Sequence, residues 1–235
     1  MHLPALIAFL QGLRENNNKA WFVMNKPAYD ILRAEFITLV AEVTAALSKS
    51  DPRVAGVDPN KALFRIYRDI RFSHDKTPYK THFSASIADG GVKHWGPMYY
   101  LQIDADGRLH LGAGCYLPPR DVLARLRAHV VADHRGLARV LKNKRFASTF
   151  GALNQDDRLA RLPKGFAADS PDIDRIGELL RLKSFIVTAD LDLTTAVNAK
   201  AARCLTQTIA TTLAAAVPLN DWLRAAPAPT PALAP

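Results

Sequence analysis

The sequence has few cysteines and no long apolar run. Its two cysteines, Cys115 and Cys204, form no CxxC pair, which excludes a disulfide framework and argues against a zinc site. Each is therefore expected in the core as a small hydrophobic residue. No apolar run reaches the roughly 18 residues of a membrane span, and residues 1–10 lack the basic and apolar regions of a secretory signal. We therefore expect no membrane partner and a reducing, cytoplasmic setting.

The composition is otherwise that of a globular chain with an excess of positive charge. Of 235 residues, 49% are hydrophobic and 23% charged, which excludes a disordered chain, a collagen and a coiled coil. Lys and Arg number 31 against 22 Asp and Glu, and this balance favours an anionic partner, either nucleic acid or a phosphate-bearing small molecule. No linker or repeat interrupts residues 1–226, which are predicted to form a single α+β domain. Residues 227–235 alternate Pro with Ala and are predicted to be a disordered tail.

Hydrophobic periodicity divides the chain into helices and strands. Apolar side chains recur every three or four positions, as in amphipathic helices, over residues 3–16, 27–47, 118–133, 136–146, 170–181 and 194–217. They alternate with polar ones, as in strands, over residues 63–72, 79–88, 98–104 and 108–115, with a short last strand at 185–187. We therefore predict an antiparallel sheet of at least four strands within residues 63–115, packed against N-terminal and C-terminal helices. The candidate core positions of the sheet are Leu63, Ile66, Ile70, Ile103 and Leu111.

Charged side chains and histidines are most concentrated between residues 64 and 94, where cations outnumber carboxylates. If residues 64–72 form a strand, Arg65, Asp69 and Arg71 share one face, while Phe72 belongs to the opposite, apolar face. Because a guanidinium can grip a carboxylate or a phosphate with two parallel bonds, Asp69 would hold both arginines and leave them donors for an anion. The candidate ligand-binding residues are Arg65, Arg68, Arg71, Lys76, Tyr79, Lys80, His82 and Lys183.

Other interpretations of this segment stay open. The protein can be an enzyme on a phosphorylated or nucleic-acid substrate, with Asp69 as general base or metal ligand. It can also be a scaffold in which the arginines form an internal salt-bridge network. The basic residues of 120–145 can track a phosphate backbone or form a solvated helix face. We expect no cofactor and no metal, because the sequence has no P-loop and no G-x-S-x-G elbow, and His82 and His94 show no metal-ligand spacing.

A long run closely resembles the signature of one protein family. The run is Arg65-x-x-Arg68-Asp69-x-Arg71-Phe72-Ser73-x-Asp75-Lys76-Thr77-Pro78-Tyr79-Lys80-Thr81, and the family is that of the bacterial and fungal proteins with domain of unknown function 2461 (DUF2461). Asn16-Asn17-Asn18 before Trp21-Phe22, Pro163-Lys164-Gly165-Phe166 and Leu182-Lys183-Ser184-Phe185 are similar to that family too. The resemblance covers roughly residues 3–224. It carries over no substrate and no catalytic residue, and His74 stands where Lys or another polar residue is expected.

Overall fold

The computed structural model describes residues 1–88, 95–166, 172–195 and 203–227. In these ranges the protein has helices towards both termini and a four-stranded antiparallel sheet, the α+β fold that the periodicity predicts. The helices are α1 (Leu3–Glu15), α2 (Lys19–Met24), α3 (Lys26–Leu47), α4 (Pro59–Ala62), α5 (Arg120–Leu141), α6 (Lys144–Phe150), α7 (Ile173–Arg181), α8 (Leu205–Ala214) and α9 (Val217–Arg224), with a 3-10 turn at Pro52–Val54. The strands are β1 (His82–Ile87), β2 (Met98–Asp104), β3 (Arg108–Cys115) and β4 (Phe185–Asp192), and they lie in the order β1-β2-β3-β4.

A tight turn over Ala105, Asp106 and Gly107 joins β2 to β3. The Asp104 carboxylate accepts the backbone N–H groups of Asp106 and Arg108, both at 2.9 Å. Gly107 has a φ of +72°, a left-handed conformation that glycine adopts without steric cost. The sequence of this turn therefore fixes the register of the two strands it connects.

Residues 63–72 do not form the strand that their alternation predicts. They pair with the opposite chain only at two isolated bridges, Leu63 to Ala85 and Tyr67 to Tyr79. Between these bridges one chain advances four residues and the other six, so the register slips by two and a regular ladder cannot propagate. Residues 68–78 connect the two sides as an irregular loop, called here the tip loop. The fourth strand of the sheet is instead β4, which is longer than the strand predicted at 185–187.

The predicted core of this region is present in part. Ile66, Ile103 and Leu111 are buried, whereas Leu63 and Ile70 are only half-buried. The prediction for Phe72 is wrong, because its ring is 94% exposed. The tip loop has left the sheet at that point, so strand parity no longer decides which side chains face the core.

The chain divides into two compact units, of which the first comprises residues 1–94, 99–112 and 189–214. Helix α3 is central to this unit and packs on α1, α4, α8 and β1. Its buried stripe has the predicted spacing and consists of Leu32, Phe36, Leu39, Val40, Val43 and Leu47. The Phe36 ring meets that of Phe83 on β1 edge to face, with centroids 5.5 Å apart. The N-terminal helices thus support the strand that follows the tip loop.

The second unit comprises residues 95–98, 113–188 and 215–235. Its long helix α5 packs on α6, α7 and α9. The sequence predicts two helices here, the first ending at Asp133, and α5 is divided into two helical segments by a kink at Asp133, where the backbone is non-helical. The Asp133 carboxylate accepts the Gly136 N–H and the Trp222 indole N–H, both at 3.0 Å. Asp133 therefore caps the second half of α5 from within and ties it to α9.

Both cysteines are free thiols. Cys115 is buried as expected, but Cys204 is exposed, because it lies one position before the buried stripe of α8 that begins at Leu205. No helix in the described ranges is long and apolar enough to cross a membrane.

Several predictions concern residues outside the described ranges. These residues include His94, the start of the helix predicted at 170, the middle of the one predicted over 194–217, and all of the predicted tail except Pro227. The single domain over residues 1–226 stays a prediction.

Candidate functional site

The tip loop is held closed by Arg68 at its base. The Arg68 guanidinium donates to the Asp75 carboxylate and to the Thr77 hydroxyl. Asp75 also accepts the Thr77 backbone N–H at 2.9 Å. This backbone bond and the Arg68 bond lower the pKa of Asp75 to about 2. Arg68 and Asp75 therefore form a standing ion pair at neutral pH, which neutralises much of the Arg68 charge.

A second ion pair, between Asp69 and Arg71, lies further along the loop. Arg71 donates from Nε at 2.9 Å and from Nη2 at 2.7 Å to the two oxygens of the Asp69 carboxylate. The side-chain and backbone bonds from Arg71 lower the pKa of Asp69 to about 2, and Arg65 adds only a longer-range charge effect. Asp69 is thus bound by one arginine, not held between two as strand parity predicts. Both side chains of the pair are largely exposed.

Lys76 also belongs to the internal bonding of the loop. Its ammonium donates to the Ile70 carbonyl at 3.0 Å. Neither Lys76 nor the Asp69–Arg71 pair lines the cleft that lies beside the loop. Three of the predicted site residues therefore shape the tip loop and do not converge on a common space.

The cleft has a volume of about 390 Å³ and lies within the first unit. Its charged and titratable lining consists of Arg14, Arg68, Asp75, Tyr79, Lys80 and His82. Arg14, on α1, is paired with Asp106 at 2.8 Å. Asn17 lines the cleft too, and its amide bonds both backbone groups of Tyr79, donating to the carbonyl at 2.9 Å and accepting the N–H at 3.0 Å. Asn17 therefore fixes the chain just before Lys80.

Lys80 is a cation of the cleft that has no counter-ion among the described residues. Its ammonium lies 5.2 Å from the centroid of the Phe64 ring, and none of the described carboxylates pairs with it. Burial and the positive charge of Arg65 lower the pKa of Lys80. Arg65, whose side chain is exposed, likewise has no ion pair with any described residue. Two neighbouring cations are thus left without neutralisation, whereas a self-contained salt-bridge network would pair every one.

His82 opens onto the same cleft as a neutral imidazole. Burial, and next the charge of Lys80, lower the pKa of His82 to about 4. No hydrogen bond joins its ring to another described residue. Tyr79 contributes its ring to the core, where it stacks on Phe22 with centroids 4.2 Å apart, and burial raises the pKa of its phenol.

The remaining predicted cation, Lys183, lies in the second unit. It donates to Asp157 at 2.6 Å. In the basic helix α5, two arginines bind backbone carbonyls of the same unit: Arg125 donates to Pro227 at 2.7 Å and Arg127 to Leu182 at 3.0 Å. These three cations therefore serve the internal structure of their unit.

Sequence reasoning missed the contribution of the N-terminal segment to the cleft. The structure brings together Arg68, Tyr79, Lys80 and His82 from the predicted set and adds Arg14 and Asn17. The signal for Asn17 is its place in an asparagine triplet, whose last member, Asn18, is the N-cap of α2. In the described part of the chain, no three His, Cys, Asp or Glu side chains converge as metal ligands do.

Comparison with known proteins gives one match. The model of a family described as "conserved hypothetical protein (DUF2461)" matches residues 5–222, nearly the whole chain. No curated protein and no solved structure matches the sequence. The match includes the tip loop, the cleft and the sheet, and it agrees with the signature resemblance of residues 65–81. The chain therefore belongs to the DUF2461 family.

Proposed function

We propose that this protein binds a phosphate-bearing anion in the cleft, with Lys80 as the principal contact and Arg65 beside it. The observation that carries the proposal is Lys80, which is partly buried, lines the cleft and pairs with no described carboxylate. Removing a charge from water without a partner is costly, and an anion would supply the missing partner. Arg65 would add the forked donors that suit phosphate oxygens.

The pairing pattern favours binding over the two alternatives. A general base works best with a pKa near the operating pH, whereas Arg71 holds the pKa of Asp69 at about 2. A scaffold would neutralise all its arginines, and this describes Arg68 and Arg71 but not Arg65. Nucleic acid as the bearer of the phosphate and a cytoplasmic location stay predictions from charge and cysteine content.

The test is binding of inorganic phosphate and pyrophosphate at constant ionic strength, followed by thermal unfolding and by calorimetry. A ligand that binds only the native state raises the Tm according to RT ln(1 + [L]/Kd). We expect Lys80→Met to abolish this rise. We expect Arg71→Ala to retain it, because Arg71 is bound to Asp69 and does not line the cleft.

A matched control is Lys49→Met, which removes one positive charge from a position outside the cleft. This variant should bind both anions as the wild type does. The proposal is wrong if neither anion raises the Tm, or if the Lys80 variant binds them as tightly as the control.

A further inference from the structure

A third cation without a carboxylate partner among the described residues lies beside the cleft. Arg33, on α3, lines a small cavity together with Phe64 and His82. His82 also lines the cleft, so the two spaces adjoin. Arg33 is only partly exposed, and no described carboxylate lies within ion-pair distance of it. Sequence reasoning overlooked it because helical periodicity marks only the buried side of α3.

Each of the three cations is connected to Phe64: one by a ring contact, one by the chain and one by a shared cavity. The Lys80 ammonium is over the Phe64 ring, Arg65 is the next residue along the chain, and Arg33 lines the cavity that Phe64 lines. Arg33, Arg65 and Lys80 are called here the cation triad. Lys80 and Arg65 are close enough for one to lower the pKa of the other.

The carboxylates that could neutralise the triad are bonded elsewhere. Asp30 on α3 pairs with Lys26 at 2.6 Å, and Glu35 accepts the backbone N–H of His2 at 2.7 Å. Asp69 is bound by Arg71 and Asp75 by Arg68. The charge of the triad is therefore uncompensated. None of these carboxylates can neutralise it without breaking the bond that it already makes.

A single phosphate does not match this charge. A phosphate ester carries a charge of about −1.5 to −2 at neutral pH, which is less than the three cations carry, and Lys80 lines the cleft whereas Arg33 lines the adjoining cavity. Two linked phosphates bring more charge and a longer array of acceptor oxygens. We propose that the ligand of the cleft is a diphosphate or longer polyphosphate, free or as part of a nucleotide, with Arg33 binding the second phosphate. This inference rests on the proposed function and specifies its ligand.

The experiment compares inorganic phosphate, pyrophosphate and tripolyphosphate by calorimetry at equal ionic strength. The wild type should bind pyrophosphate at least about tenfold more tightly than phosphate, and tripolyphosphate no more weakly than pyrophosphate. Arg33→Gln should weaken pyrophosphate about tenfold and leave phosphate within about twofold. Arg33→Lys retains the charge but loses the forked donors, so its affinity for pyrophosphate should lie between those of the wild type and Arg33→Gln.

The matched control is Arg135→Gln, which neutralises an arginine on the other long helix, α5, outside the cleft. It should bind all three anions as the wild type does, and circular dichroism confirms that each variant folds. A nucleoside diphosphate measured against pyrophosphate distinguishes a nucleotide from a free polyphosphate.

Equal affinity for phosphate and pyrophosphate, or pyrophosphate binding unchanged in both Arg33 variants, overturns this inference and leaves the proposed function intact. Absence of binding by every anion, or binding that survives Lys80→Met, overturns the proposed function itself.

Discussion

His82, in the cleft, makes the stability of the protein depend on pH. Its pKa lies at about 4 in the folded protein, against an ordinary value of 6.5. Between these two values the unfolded chain binds a proton that the folded protein does not, so protons favour the unfolded state. The stability of the protein therefore falls as the pH falls from about 6.5 to about 4. An anion beside His82 would oppose this effect, because it favours the protonated ring.

We expect this single group to remove up to about 3 kcal/mol of unfolding free energy over that window. His82→Gln should abolish that part of the pH dependence, which urea denaturation at neutral and acidic pH measures. The control His74→Gln removes an exposed histidine of the tip loop and should retain the wild-type slope. Parallel pH profiles for the wild type and the His82 variant would contradict the assignment.

Asp51 is a fully buried carboxylate that the sequence did not reveal. The sequence pattern indicates only the end of a helix there, because Pro52 follows it. In the structure it accepts the Tyr99 hydroxyl at 2.7 Å and the Arg53 Nε–H at 2.9 Å. Tyr99 is 48 positions away, and no local pattern indicates a partner at that separation.

Tyr99→Phe should therefore cost about 1–3 kcal/mol of unfolding free energy, since the buried carboxylate loses a donor. Tyr100→Phe is the matched comparison, because the Tyr100 hydroxyl donates to Gln102 at a partly exposed position. Its cost in urea denaturation should be clearly smaller, and equal costs for the two variants would contradict this account.

Helices and strands alike follow their sequence patterns where each has its partner: β2 and β3 have the predicted bounds, whereas residues 63–72 form no regular strand. Helices α1 and α3 begin and end within one residue of the predicted bounds, because a stripe of apolar side chains identifies both the helix and its buried side. A strand also needs a partner in register, and residues 63–72 lose theirs through the two-residue slip. The candidate site was likewise predicted only in part. Its cations were predicted from residue type, whereas their pairing depends on the shape of the tip loop.

At Gly114, strand β3 lies very close to the backbone of β4. Its φ is +116°, and a Cβ there would lie 2.0 Å from the Phe185 carbonyl oxygen. The Gly112-x-Gly114 pattern indicates a strand kink or bulge, and this close approach explains why a side chain is excluded. We expect Gly114→Ala to cost more than about 3 kcal/mol in urea denaturation.

The control for this variant is Gly177→Ala within α7, where the nearest atom would lie at an ordinary 3.8 Å. It should be neutral or stabilise the protein by up to about 1 kcal/mol. A mild effect at Gly114 would show that the two strands can separate without loss of the fold.

At the scale of the whole molecule, some of the cations are in ion pairs with carboxylates and others are not. Arg14, Arg68, Arg71 and Lys183 are all in ion pairs with Asp side chains. A net charge of +9 therefore says little about function by itself. What distinguishes this chain is the placement of the cation triad beside a cleft.

Near the C-terminus, the contacts that stabilise the fold extend to Pro227. Arg125 donates to the Ala226 carbonyl at 3.2 Å and to the Pro227 carbonyl at 2.7 Å, and Ala226 is buried. Deleting residues 228–235 should leave the Tm within about a degree or two, whereas ending the chain at Arg224 should lower it by at least about 2–4 °C. Differential scanning calorimetry of the two truncations decides this, and equal melting temperatures would contradict it.

The tip loop also has a consequence for the order of folding. Its side-chain bonds join residues at most nine positions apart, whereas β1 and β2 pair residues as distant as His82 and Asp104. Loops of that length close on the order of 10–100 ns, and hairpins form more slowly. We infer that the loop reaches its shape from its own sequence before the sheet assembles around it. The part of the cleft wall that the tip loop supplies is then formed by about ten consecutive residues before the more distant Arg14 and Asn17 reach it.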